Sequence, residues 1–409
     1  MQYGPKIATN GLMLALDAAD MNSYSPNVYP NPTDLLGWAY MGVGNQCTLS
    51  RDATITRQYG SIPMKMTVTG NDPYTAHSTF NQNLAPAAIG QTWTVSVYAK
   101  ASVATTGQIF IYGADSTGSV YNSVDYSAGT LNITTSWQRF TFSRTLTGQY
   151  TQYIQFRLDG PDAGGTGINI WWDGVQVERA SAATTFNPYY FGNTVWRDIS
   201  GNNRTATLTN GPLFNTSNNG SIVFDGSTQF STFTPTPTIL QGNPNLTVIG
   251  FYKRTGNFSS KGFWGIGGSN AGGVGQGICN WNYSNTNEIT IDSWSESTFT
   301  TGQTYPLNTW IGVAWRKIAG PMTRANCIIS IFNGTNITHY TSTALTVLRA
   351  ESATNLNINS IGGITLGSIS VNTGYCSPVN IANHCIYNRL LSDSEILRNF
   401  QAAKTRFGL

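Results

Sequence analysis

The stretch GLMLALDAAD, residues 11–20, reads as a first β-strand with a turn behind it. Two later stretches look like its continuation: VWRDISGNNRTATLTNGP, residues 195–212, and GSIVFDGSTQF, residues 220–230. In the second of these, Asp225-Gly226 marks a tight turn between two short strands. Residues 29–191 stand between the opening stretch and the other two. The fold turns on why pieces of one unit should lie so far apart.

Composition narrows the class. The chain has 409 residues, 40% of them hydrophobic and 12% aromatic, enough for two or three domains with real cores. Only 10% are charged, against about 25% in an ordinary soluble domain, so the polar surface is built from Thr, Ser, Asn and Gln. With 43 Gly and 16 Pro, this is the profile of an all-β protein rich in turns. The net charge of +3 comes from scattered Lys and Arg, which argues against nucleic-acid binding. No apolar run is long enough to span a bilayer, and MQYGPKIATN lacks the apolar core of a signal peptide, so synthesis in a cytoplasm and no membrane insertion are expected. Five cysteines without metal-like spacing read as free buried thiols, with a Cys376–Cys385 bridge as the alternative.

The alternation along the chain is that of strands. In QTWTVSVYAKAS, Trp93, Val95, Val97 and Ala99 share one face, with Thr94, Ser96, Tyr98 and Lys100 on the other. SWQRFTFSRTL alternates Trp137, Arg139 and Thr141 against Gln138, Phe140 and Phe142. TQYIQFRLDG turns Ile154, Phe156 and Leu158 inward, and INIWWDGVQVERA closes this region. A second β region follows, with hairpin signals at Asn210-Gly211 and Asn333-Gly334, the latter read as a type I′ turn. One helix is expected, at LSDSEILRNFQAAKTRFGL. Ser392 and Glu395 form its capping box, Leu391 and Ile396 its hydrophobic staple, and Ile396, Phe400 and Ala403 its apolar stripe.

The blocks at 11–24, 195–214, 218–230 and 384–409 resemble, in that order, the concanavalin A-like/laminin G-like superfamily. The resemblance is to the version found in structural proteins of tailed bacteriophages, cyanophage and marine phage among them. NPTDLLGWA, TWTVSVYAKAS, SWQRFTFS and INIWWDGVQVERASAATTFNPY resemble carbohydrate-binding-module jelly rolls of the type attached to xylanases and glucanases. The resemblances imply two antiparallel β-sandwiches. The first is a discontinuous laminin G/concanavalin A-like jelly roll, residues 11–28 and 192–409, closed by the short C-terminal α-helix. The second is a jelly roll inserted at 29–191. Residues 1–10 would be an arm across a neighbouring subunit or a leader into the first strand.

Sugars are held by aromatic rings beside amides, which makes Trp38, Tyr74, Tyr112, Tyr121, Tyr126 and Trp281 the glycan-binding candidates. Trp93, Trp137 and Trp171 read as core or sheet-packing residues. The stretch FWGIGGSNAGGVGQGICNWNYSN reads as a long glycine-rich connection. The resemblance implies structural Ca²⁺ as the ion to test, with Asp17, Asp34, Asp173, Asp198 and Asp225 as oxygen donors; each also reads as a turn-former or cap. Zinc is not expected, because His77, His339 and His384 are far apart in sequence. Among carboxylates, Glu288, Asp292 and Glu296 come nearest to a glucanase motif. Residues four apart on one strand are about 13 Å apart, however, whereas retaining chemistry needs about 5–5.5 Å.

The function expected is therefore non-enzymatic: a virion protein on the outer surface of a tailed phage, as capsid decoration or head fibre. Its partners would be other virion proteins, copies of itself related by symmetry, and a host cell-surface polysaccharide. A carbohydrate-binding adhesin or tail fibre is the second reading, and a glycoside hydrolase the third.

Overall fold

The computed structural model describes residues 7–20, 23–24, 38–40, 46–56, 58, 62–71, 73–77, 85–115, 127–148, 151–186, 194–215, 217–268, 277–282, 286–293, 297–360 and 363–407. For 38–40, 74–77, 85–86, 127–128 and 219 the description is of backbone only. The architecture is antiparallel β throughout, in four sheets, with one short C-terminal α-helix among the described residues. The chain divides into two compact units, Met1–Tyr24 with Thr194–Leu409, and Ser25–Asn193.

The discontinuous unit has an eight-stranded and a nine-stranded sheet. In the first, Leu213–Asn215, Ser221–Asp225, Pro378–Tyr387, Leu246–Arg254, Trp310–Lys317, Cys327–Phe332 and Ile337–Thr341 lie in that order. The opening strand Leu12–Asp17 also pairs with Pro378–Tyr387, Asp17 opposite Asn383 and Ala15 opposite Cys385. On that same strand Ile222 stands opposite Ile381. The nine-stranded sheet runs Val195–Arg197, Thr205–Thr209, Phe230–Phe233, Ile364–Leu366, Trp264–Gly267, Gly277–Cys279, Glu288–Asp292, Thr298–Thr304 and Thr346–Val347. The two sheets share one core: Leu14, Leu16, Val248 and Ile381 from the first meet Leu208, Trp264, Ile291 and Phe299 from the second. Leu14 and Leu16 are each 1% exposed, and burial of each contributes roughly 1.5–3 kcal/mol.

The opening strand has a second edge, and side chains from 198–204 satisfy it. The Asp198 carboxylate accepts the Ala15 N–H at 2.9 Å, and Ile199 N donates to Ala15 O at 2.9 Å. Asn202 Nδ2 donates to Leu12 O at 3.0 Å and Arg204 Nη1 to Met13 O at 2.5 Å. The stretch RDISGNNR is thus a polar clamp that replaces a ninth strand beside Leu12–Asp17.

Two turns do something other than close a hairpin. Asn210 and Gly211 adopt φ of 59° and 60°, as a type I′ turn requires. The strands they join belong to different sheets, however: Thr205–Thr209 pairs within the nine-stranded sheet and Leu213–Asn215 within the eight-stranded one. Asp225-Gly226 likewise carries the chain from one sheet to the other. Its carboxylate accepts the N–H groups of Ser227, Thr228 and Gln229, so a corner between layers is held by one side chain. The hairpin at Asn333-Gly334 does form, with Phe332 opposite Ile337, but around a four-residue loop. Asn333 has no positive φ, which rules out type I′ there, and its side chain instead accepts from Thr335 N and Asn336 N.

The glycine-rich connection contains two strands, Trp264–Gly267 and Gly277–Cys279, and Trp264 is a core residue at 1% exposure. The C-terminal helix spans Asp393–Ala403 with the Ser392/Glu395 capping box in place. Ile396, Phe400 and Ala403 bury themselves against Ile249, Phe251 and Phe332 in a second cluster. Residues 7–10 lead into the first strand under this helix. Ala8 N donates to Asn399 Oδ1 at 2.8 Å, Tyr387 Oη to Ala8 O at 2.9 Å, and Asn399 Nδ2 to Tyr387 Oη at 2.9 Å. All five cysteines are buried and none is in a disulfide, Cys376 and Cys385 included. Among the described residues no helix is long and apolar enough to cross a membrane.

The second unit has a five-stranded sheet, Gln138–Thr145, Thr92–Ala101, Asn169–Glu178, Met64–Val68 and Cys47–Arg51. Its six-stranded sheet runs Trp38–Tyr40, Tyr74–His77, Tyr153–Asp159, Thr105–Ala114 and Ser127–Ile133, with Ala85–Pro86 also on Tyr153–Asp159. Trp93, Val95, Val97, Ile154, Phe156 and Leu158 fill the core between them. Asn169–Glu178 bulges between Asp173 and Gln176, where Gly174 takes φ of 59°. A Cβ there would meet the Tyr98 ring at 3.0 Å.

Candidate ligand-binding face

The face of the six-stranded sheet turned away from the core carries a row of polar and aromatic groups. Tyr153–Asp159 pairs with Thr105–Ala114 so that Gln155 stands opposite Tyr112, Arg157 opposite Phe110 and Asp159 opposite Gln108. Alternation sends Ile109, Ile111, Ile154, Phe156 and Leu158 into the core. The same alternation leaves Gln108, Phe110, Tyr112, Gln155, Arg157 and Asp159 on the opposite side.

These groups fix one another. Arg157 Nη2 lies 2.7 Å from Asp159 Oδ2, and the guanidinium sits over the Phe110 ring at 4.2 Å. Gln108 Nε2 donates to Asp162 Oδ2 at 2.9 Å. Tyr112 is 2% exposed, Gln155 4% and Asp159 2%, so the row is sheltered from solvent in this conformation. A guanidinium neutralised by a carboxylate and stacked on a ring, beside an amide and a phenol, offers fixed donors and acceptors next to apolar surface. That chemistry suits a neutral, polyhydroxylated ligand.

Of the sequence candidates, Tyr112 belongs to this row but is buried, and presents no open ring to solvent. Tyr74 stands opposite Asp159 in register and Trp38 opposite His77; their side chains lie outside the described residues. Tyr121 and Tyr126 lie outside the described residues altogether. Trp281 is half-buried in the other unit, where its carbonyl accepts from Thr290 Oγ1 at 2.7 Å. Phe110, Gln155, Arg157 and Asp159 were missing from the candidates. The signal was available: in TQYIQFRLDG the residues between the inward ones are Gln155, Arg157 and Asp159.

The carboxylates proposed for calcium are turned to other work. Asp198 accepts from Ala15 N, Ser200 N and Ser200 Oγ. Asp225 caps its three amides. Asp17 accepts from Ala19 N and from Arg406 Nη1 at 2.7 Å, and burial, ahead of the Arg406 charge, raises its pKa. Asp173 takes Gly174 N on one oxygen and Gln58 N on the other. Each of these four carboxylates thus accepts hydrogen bonds as a turn-former or cap does. Asp34 lies outside the described residues. Among the described residues no group of three or more His, Cys, Asp or Glu is placed to hold a metal.

Glu288 and Asp292 are engaged with hydroxyls of the neighbouring strand. Glu288 Oε2 accepts from Thr300 Oγ1 at 2.5 Å, and Asp292 accepts from Thr298 Oγ1. Glu296 lies outside the described residues. His384 is wholly buried with Nδ1 2.8 Å from Tyr252 Oη, and burial pulls its pKa down to about 3.

No protein-family model matches the chain, and no curated protein matches it. Among solved structures it is similar to the enzymatically active domain of bacteriophage CBA120 tailspike protein 4, with 12% identity and a TM-score of 0.30. That match covers 38% of this chain and 22% of the tailspike domain, so the chain spans about a fifth of it. The CBM22-1 xylan-binding domain of Paenibacillus barcinonensis Xyn10C matches with 14% identity and a TM-score of 0.27, over 42% of this chain and 96% of that one. Domain 4 of AbnA, a GH43 extracellular arabinanase from Geobacillus stearothermophilus, solved with arabinotriose, matches with 13% identity and a TM-score of 0.37, over 50% and 92%. At these TM-scores the likeness carries nothing about residues or activity.

Proposed function

We propose that this chain is a non-enzymatic structural protein of a tailed-phage virion, displayed on the outer surface as a capsid decoration or head fibre. In this reading the discontinuous unit is a laminin G/concanavalin A-like sandwich that docks on the particle in symmetry-related copies. The unit at 25–193 is an inserted carbohydrate-binding-module-like jelly roll. What carries the reading is the convergence of all four resembling blocks. Strands from the first and third share one edge of Pro378–Tyr387, the strand that runs into the fourth, and the second supplies the clamp on Ala15. Composition agrees: with 10% charged residues and a surface of Thr, Ser and Asn, non-specific adhesion to an exposed particle is low.

The second reading, a glycan-binding adhesin or tail fibre, draws on the row from Gln108 to Asp159, whose chemistry suits a sugar. Quantitative mass spectrometry of purified particles tests the first reading: the chain should occur at a fixed, symmetry-compatible copy number. Absence from particles, together with binding on a neutral-glycan array, would replace the virion reading with the adhesin one.

A further inference from the structure

The opposite sheet of the same unit carries a second, differently charged array. Lys65, Trp171 and Lys100 stand side by side across Met64–Val68, Asn169–Glu178 and Thr92–Ala101, Trp171 opposite each lysine in register. Lys100 Nζ lies 5.6 Å from the centre of the Trp171 ring. Trp137 immediately precedes Gln138–Thr145, whose first pair, Gln138 with Ala99, extends the row on the other side of Lys100. Both indoles are pinned by one short segment. Trp171 Nε1 donates to Asp52 Oδ2 at 3.1 Å, and Trp137 Nε1 donates to Thr56 O at 2.9 Å.

These residues lie on the face away from the core, in contrast to Trp93 and Trp172, which are fully buried within it. Trp137 is partly exposed there, whereas Trp171, on the same face, is covered down to 7% exposure and carries Lys100 over its ring. With its indole N–H tied down, what the Trp137 ring has left to offer is its π-face. The charge is unbalanced: Lys65 has Asp52 at 4.0 Å, while Lys100 has no carboxylate partner among the described residues. Lys100 and Trp137 are both partly exposed.

We propose that this strip binds an anionic saccharide, its acidic group paired with Lys100 and a sugar ring laid against Trp137. The charge argues for the acidic class, because an acidic group gains an ion pair with Lys100 besides the stacking, whereas a neutral sugar gains only the stacking. The site is separate from the row around Arg157, which lies on the other sheet and whose guanidinium is already neutralised.

The test uses the full chain on immobilised polygalacturonate, with neutral galactan alongside and a salt series. Binding to polygalacturonate should exceed binding to galactan and fall as salt rises. Lys100→Gln and Trp137→Ala should each weaken it on the order of fivefold or more, while Trp137→Phe, which keeps a ring, should weaken it less. Arg324→Gln, at an exposed ion pair of the other unit, should leave it unchanged. Polygalacturonate binding that survives Lys100→Gln, or that falls as far in Arg324→Gln as in Lys100→Gln, would overturn the assignment, as would the absence of any salt-sensitive binding.

Discussion

The Asp198 carboxylate holds the backbone N–H of Ala15 at 2.9 Å across 183 residues of chain. A side chain thus satisfies an amide that a ninth strand of this sheet would otherwise have paired. Asp198→Ala leaves that amide and the Ser200 N–H without their acceptor. Stability of the discontinuous unit should fall by about 1–3 kcal/mol. Denaturant titration followed by Trp fluorescence reads this; an unchanged midpoint would mean that the clamp is ornamental.

Acid should weaken the same unit through His384. The ring is buried without a partner for Nε2 among the described residues, and its folded pKa of about 3 lies below the ordinary 6.5. An unfolded chain therefore takes up this proton first as pH drops. The contribution is complete above pH 6.5, declines below it by up to about 1.4 kcal/mol per pH unit, and levels off near the folded value. The difference between wild type and His384→Gln in unfolding free energy, followed from pH 7 to 5, isolates this slope. Parallel profiles would contradict it.

The ring of three hydrogen bonds among Ala8, Tyr387 and Asn399 ties the leader beneath the C-terminal helix. Asn399→Leu keeps the volume but abandons the Ala8 N–H, at a cost of about 1–3 kcal/mol. Limited proteolysis should then cut ahead of the first strand sooner than in wild type. Equal rates would show that packing alone secures the leader.

On the sheltered face, Arg157→Ala removes the 2.7 Å ion pair to the Asp159 carboxylate, which is only 2% exposed. Neutral-glycan binding should drop at least tenfold if this row is the contact, the usual scale for a lost charge-assisted bond being about 1.5–3 kcal/mol. Tyr112→Phe removes one hydroxyl and should cost less. A glycan array that scores both variants as wild type would relocate the ligand.

Much of this architecture could be read in advance because alternation is a local property. The inward set Trp93, Val95, Val97 and the capping box Ser392/Glu395 needed no knowledge of the partner strand. What stayed hidden was non-local. Asn210-Gly211 has the right chemistry for a hairpin, yet sequence does not state which sheet the following strand will join. Trp171 is buried at 7% exposure, yet outside the core cluster that its neighbours Trp172 and Ile170 fill, and which side of the sheet would cover it was not written in its own alternation. The row around Arg157 was legible only as the polar half of an alternation whose apolar half drew attention first.

The pairing of Leu12–Asp17 with Pro378–Tyr387 sets a timetable. On the ribosome the first strand emerges well ahead of its neighbour, with all of residues 18–377 made in between. Throughout that interval the apolar segment 12–16 has no edge to join, whereas the strands of 25–193 already have all theirs. The guest can therefore finish before its host begins to close. A chain that stops before Pro378 would carry a mature module on an unclosed sandwich. Truncation ahead of Pro378 should consequently produce aggregation while leaving the inserted unit intact.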